Sequence, residues 1–276
     1  MTPSTSGRRK ALGQHWLVDR RVLGRIARAA RIASDDTVIE VGAGTGLLTD
    51  LLAEKAARLM AVEVDPALAS GLRTKFSERG HVSVLEADVL ALSPEEILSA
   101  GGGRLPYVVV GNLPYAIGSA IVRHFLAAAA QPRWILATLQ AEVAGNIAAP
   151  PGEMSYLSFQ IQYYAEPRLL FEVPPRAFRP PPRVRSAVVR LETRRGTAVE
   201  VDDRDAFFAF VRAGFSAPRK QLRNALAVGL GCPPAEAEWA LAEARVDPTR
   251  RAQTLTIREW ATLYSAHRGS TMAVRG

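Results

Sequence analysis

Five short apolar runs, at residues 37–41, 59–64, 82–85, 107–110 and 134–139, recur along the first half of the chain. The stretches between them, such as 47–58 and 118–130, mostly carry their apolar residues at helical spacing. Apolar runs of this length, alternating with helices, predict a parallel sheet covered by helices on both faces. Ahead of the first run, Val22, Leu23, Ile26, Ala27 and Ala30 share one face of a basic amphipathic helix predicted over 21–32. Two later β-rich runs, 156–164 and 186–192, flank the proline-dense stretch FEVPPRAFRPPPRV. They are expected to complete the sheet as an antiparallel edge pair.

After residue 193 the rhythm changes. RRGTAVEVDD has turn and charge character, and 205–215, 219–228, 234–244 and 257–267 follow with helical patterns. The last opens with Thr256 and Glu259 in capping-box spacing and sets Ile257, Trp260, Leu263 and Tyr264 on one side. Two domains are therefore expected, an α/β domain over 1–195 and a small helical domain over 196–276. The first seven residues are small and polar, which suits a loose tail.

A chain of 276 residues with 48% hydrophobic content can bury a core of this size. No apolar run approaches the roughly 20 residues of a membrane span, and no hydrophobic signal core follows the start. Cys232 alone cannot form an intrachain disulfide, and the four histidines show no zinc-ligand spacing. A monomeric, cytoplasmic protein without metal is the expectation. The formal net charge of +8 is distributed unevenly. Arg8, Arg9 and Lys10 lead one basic cluster, Arg183 sits in a second over 176–195, and Arg219, Lys220 and Arg223 form a third. One such patch is as well explained by solubility, but three together point to a polyanion, most commonly nucleic acid.

EVGAGTG at 40–46 follows one predicted strand and precedes a helix, so its glycines allow a tight turn where a ligand approaches bare backbone. Leu47 occupies the place of the third glycine in the dinucleotide fingerprint, which argues against a nicotinamide dehydrogenase. Glu63 ends the second strand and can accept hydrogen bonds from two ribose hydroxyls; Asp88, after the third, can accept from an adenine amino group. Gly42 and Gly44 with these two acids describe a nucleoside pocket with no phosphate demand, which suits S-adenosylmethionine.

Asn112, Leu113, Pro114 and Tyr115 follow the fourth strand, at the same carboxyl edge. An adenine amino nitrogen is a poor nucleophile because its lone pair is delocalised into the ring. The Asn112 side-chain oxygen and the Leu113 carbonyl could grip its two hydrogens and free that lone pair. Pro114 holds Leu113 extended and offers no competing N–H. Tyr115 could stack on the base, and Phe178, in the proline-stiffened loop, is the candidate for a second stacking face. Taken alone, NLPY is equally consistent with a proline-closed turn.

Taken together, these motifs resemble the bacterial small-subunit ribosomal RNA adenine dimethyltransferases. LGQHWLVD at 12–19 is similar to that family's N-terminal cofactor motif, EVGAGTG, VEVD and EADVL to its next three, and NLPY to its catalytic motif. LQAEVA, RKQLRNAL and VDPTRRAQTLT match later segments. The resemblance implies a Rossmann-like class I methyltransferase sheet with a C-terminal helical domain that contacts RNA. It also implies S-adenosylmethionine as cofactor and small-subunit ribosomal RNA as partner. Gln14, His15 and Leu17 would close over the cofactor, Gly42 and Gly44 would pass under its methionine part, and Asn112 would touch both cofactor and target. Trp16, Ala116, Ala141, Asn146 and Gln253 depart from the usual pattern; none is a proposed catalytic group, and they bear on RNA docking. Two alternatives stand beside this reading: a large-subunit methyltransferase of the macrolide-resistance kind, and a non-catalytic factor in ribosome assembly.

Overall fold

The computed structural model describes residues 15–273, with side chains as far as residue 269. A two-residue strand β1 (Trp16–Leu17) precedes the helix Arg20–Ala30, whose N-cap Asp19 accepts from the N–H groups of Arg21 and Val22. Strand β2 (Thr37–Val41) is buried at every position, as expected of a strand covered on both faces. It is followed by β3 (Arg58–Glu63), β4 (Val82–Glu86), β5 (Tyr107–Asn112), β6 (Trp134–Gln140), β7 (Ala165–Val173), β8 (Phe178–Arg179) and β9 (Ser186–Thr193). Seven of these form one sheet in the order β4-β3-β2-β5-β6-β9-β7, and β1 pairs with β8 in a separate ribbon. The pairs from β4 to β6 are parallel, and β9 joins β6 antiparallel. From β2 the chain moves outward on one side through β3 and β4, then returns to lay β5 on the other side. That reversal opens a crevice between the carboxyl ends of β2 and β5.

One expected strand is a helix. Residues 156–164 do not join the sheet; Tyr156–Gln162 is helical, and the edge strand is the next segment, β7. Ser155 explains the change locally, because its hydroxyl accepts from Ser158 N–H in a capping box. Packing reinforces it: the Phe159 ring is fully buried and meets the Phe207 and Phe208 rings edge-on at 5.5 and 5.4 Å. Aromatic residues that read as β-prone are here held in a helix by aromatic neighbours.

Two compact units result. The first extends to Gly145 and resumes over Glu166–Thr193; the second takes in Asn146–Ala165 and continues from Arg194. The second unit thus includes 146–165, inside the span 1–195 expected for the α/β domain. Asn146 serves that segment directly, accepting from Ser158 Oγ at 3.0 Å, and Gln253 donates to the Gly152 carbonyl at 2.8 Å. The helices Arg204–Gly214 and Leu222–Leu230 of this unit approach backbone to backbone, since a Cβ on Gly229 would lie 2.2 Å from the Ala213 carbonyl oxygen. The helix Ile257–Ala273 begins with the expected capping box, in which Thr256 N–H donates to Glu259 at 2.7 Å and Glu259 N–H to Thr256 Oγ1 at 3.2 Å. The Arg250 guanidinium beside Glu259 holds its carboxyl down at about 2.

Candidate active site

The site follows from sheet register. Val41 lies opposite Val62 on one side and Gly111 on the other, so the next residues, Gly42, Glu63 and Asn112, stand level across three neighbouring strand ends. With strands about 4.8 Å apart, Glu63 and Asn112 are separated by about 10 Å across a residue without a side chain, a gap of nucleoside width.

Gly42, Gly44 and Gly46 have φ of 72°, 58° and 76°, the left-handed region that favours glycine. Glu63 fastens this loop: Gly44 N–H donates to Oε2 at 2.8 Å and Asp65 N–H to Oε1 at 3.0 Å. A carboxylate has about four acceptor positions, so two remain for a ligand's hydroxyls. Trp16 lies against the loop, with its Cδ1 3.4 Å from where a Cβ on Gly44 would stand. Asp88 is exposed and caps a short helical turn by accepting from Leu90 N–H at 3.0 Å, which occupies one of its oxygens.

Asn112 is fixed through its nitrogen, because Nδ2 donates to the His15 carbonyl at 3.1 Å. Its Oδ1 is buried and has no hydrogen-bond partner among the described residues. An orphaned buried acceptor costs about 1–3 kcal/mol, which a ligand's donor meeting it would recover. Leu113 is locked alongside, its N–H donating to the Thr138 carbonyl at 3.1 Å. The Tyr115 ring is half-buried, 5.3 Å from the His15 ring, and its hydroxyl lies 2.6 Å from Ser186 Oγ. Burial pushes the phenol above its usual value.

Two of the expected site residues lie in the core. Phe178 is fully buried, in register with Leu17 and packed in a core that includes Val173, Ala177 and Val188. The ribbon turns both side chains inward, so Phe178 offers no ring face to a base and the Leu17 side chain serves the core. Gln14, Arg8, Arg9 and Lys10 lie outside the described residues. Arg183, Arg219 and Lys220 are exposed, and Arg223 is half-buried and paired with Glu238 at 3.1 Å.

Glu40 is a buried acid inside the run TVIEV, close to the site, to which the sequence pattern assigns no role. Burial pushes its carboxyl up to about 8, the nearby Glu63 adds to this, and Thr49 opposes it. Its Oε2 has no partner among the described residues. Between the ordinary 4.5 and about 8 the folded protein keeps a proton that the unfolded chain has released, so this group makes stability fall as pH rises. Glu40→Gln cannot titrate. Thermal unfolding of the ligand-free variant is expected to show little gain at pH 5 and a midpoint several degrees above the parent at pH 8. A gap that is equal at both values would contradict this assignment.

A profile of the ribosomal RNA adenine dimethylase family matches residues 5–267. The chain belongs to that family. Ribosomal RNA small subunit methyltransferase A of Dehalococcoides mccartyi is 44% identical over 262 residues, 95% of this chain and 89% of the relative. The protein of the same name from Moorella thermoacetica is 40% identical, over 92% of this chain and 91% of its own. Among solved structures, the 23S rRNA methyltransferase ErmE superposes with a TM-score of 0.71 at 30% identity, covering 92% of this chain and all but 1% of ErmE, that is 99%. A dimethyladenosine transferase from Plasmodium falciparum superposes at 0.78 with 20% identity, over 93% and 98% of the two chains, and shows the shared fold. Ribosomal RNA adenine dimethylases are methyltransferases that use S-adenosylmethionine. The positive-φ glycines and the fastened Glu63 fit such a cofactor, which carries ribose hydroxyls, an adenine and a zwitterionic amino-acid end beside its sulfonium.

Proposed function

We propose that this chain transfers methyl groups from S-adenosylmethionine to the exocyclic amino groups of two adjacent adenines in small-subunit ribosomal RNA. The observation that carries the reading is the buried, unpartnered Asn112 Oδ1, level with Glu63 at the switch point of the sheet. Glu63 would hold the cofactor's ribose, Asp88 its adenine, and the Gly42–Gly44 turn with His15 its methionine part. When bound, the cofactor supplies a methyl group on a sulfonium with a neutral thioether as leaving group.

No general base is demanded, since a nitrogen that has gained a methyl group becomes acidic enough to release its proton to water. The protein's task is alignment and charge. Asn112 Oδ1 and the Leu113 carbonyl accept the two amino hydrogens, and their dipoles stabilise positive charge growing on nitrogen. The target base must leave its stack at a cost of a few kcal/mol, which stacking on Tyr115, about 1–3 kcal/mol, offsets in part. The exposed Arg183, Arg219 and Lys220, with Arg8, Arg9 and Lys10, supply phosphate contacts, and 196–276 acts as the RNA-contacting domain. A monomer working in the cytoplasm fits this role.

Small-subunit rather than large-subunit RNA is favoured by the higher identity to the small-subunit enzymes, 44% against 30% for ErmE. The deciding experiment offers labelled S-adenosylmethionine with undermethylated small subunits, large subunits and naked RNA side by side and maps the labelled base. Dimethyladenine in small-subunit RNA is expected. Label in large-subunit RNA would transfer the reading to the other target, and RNA binding without any label would leave an assembly factor.

A further inference from the structure

The Tyr115 side chain is held at its far end by a residue 71 positions later. Its hydroxyl and the fully buried Ser186 Oγ are 2.6 Å apart, and neither oxygen is left unpaired. Ser186 is itself well anchored. It opens β9 opposite Gln140, and the carbonyl of the preceding Arg185 accepts from Ala141 N–H at 2.9 Å. The flank of the ring is fixed too: the His15 imidazole lies 5.3 Å away at a tilt of 35°, and its Nδ1 is 2.7 Å from the Pro180 carbonyl oxygen. A tyrosine has two rotatable side-chain bonds, and a hydrogen bond at the hydroxyl tip constrains both. Its ring therefore awaits a planar partner without having to be ordered by it.

We propose that Ser186 is a positioning residue that presets the Tyr115 ring for the target adenine, touching neither the base nor the cofactor. The inference rests on the reading of Tyr115 as a stacking platform. A preset ring strengthens capture of the base and leaves cofactor binding unaltered, so the bond's removal appears in the RNA arm alone. Because the two hydroxyls act as one unit, either partner's removal has the same effect and the second removal adds none.

The test is a cycle of Ser186→Ala, Tyr115→Phe and the double variant in the full chain. The readouts are KM and kcat for undermethylated small subunits at saturating cofactor, the Kd for S-adenosylmethionine by calorimetry, and the unfolding midpoint. Each single variant is expected to raise KM five- to twentyfold with the cofactor Kd within twofold, the double variant to match the singles, and Ser186→Thr to restore the parent value. Single variants with parental KM, losses that multiply in the double variant, or a cofactor Kd that shifts with KM would overturn the proposal. If Ser186→Ala fails to fold, Tyr115→Phe still removes the same bond from its half-buried partner. Tyr115→Ala separates the two ideas: parental activity in that variant sinks the platform itself, whereas a large loss there with a silent Ser186→Ala sinks only the presetting role.

Discussion

Asn112→Ala is expected to slow single-turnover methyl transfer by a factor on the order of 100–1,000, the range found when one preorganised dipole aimed at developing charge is deleted. The side chain has two ends with separate duties. Nδ2 is committed to the His15 carbonyl, and that bond decides which end of the amide faces the crevice. Oδ1, buried without a partner, is the end that remains for the amino group. Alanine removes both at once, so a second substitution isolates the oxygen. Asn112→Asp keeps an acceptor but loses the donor to His15, placing a carboxylate beside a carbonyl. It is expected to fall well below the parent yet above alanine. The check is rapid-quench transfer to small subunits with the cofactor Kd measured in parallel. An alanine variant within tenfold of the parent, with cofactor bound normally, would show that this amide does not grip the attacking nitrogen.

The alternation of strands and helices was legible because short apolar runs alternate with segments at helical spacing, and the level arrangement of Gly42, Glu63 and Asn112 follows from runs that all terminate at residues proposed to bind the ligands. NLPY was legible because a carboxamide followed by proline is poorly suited to continuing a buried strand. What could not be read depends on partners far away in the chain. Phe178 looks equally apolar whether it faces solvent or core, and only its register with Leu17 turns it inward. Residues 156–164 carry β-prone aromatics, yet Phe207 and Phe208, some fifty positions on, hold them in a helix. Ser186 gives no signal of its own, since its chemistry lies in a single contact with Tyr115. The Arg223 pairing with Glu238, fifteen positions on, is likewise invisible in the local run of bases. Local pattern thus fixes which elements exist, and pairing across the chain decides which side chains stay available.

Glu63→Ala carries the second large expectation, a rise of at least a hundredfold in the Kd for S-adenosylmethionine, measured by calorimetry. Two losses combine. The carboxylate accepts from Gly44 and Asp65 N–H groups, and deleting it leaves two donors unpaired at a cost of about 1–3 kcal/mol each, which loosens the glycine turn. It also removes the acceptors proposed for the ribose hydroxyls. Glu63→Gln separates these terms, because its carbonyl oxygen can still take one backbone N–H while its amino group must face the other donor. The expected order of affinity is parent, then Gln at roughly a tenfold loss (about 1.4 kcal/mol), then Ala. The unfolding midpoint of the ligand-free protein should fall in the same order. If Gln lowers the midpoint but binds cofactor as tightly as the parent, the carboxylate is a loop fastener alone. If affinity falls while the midpoint holds, it faces the ligand and the loop stands without it.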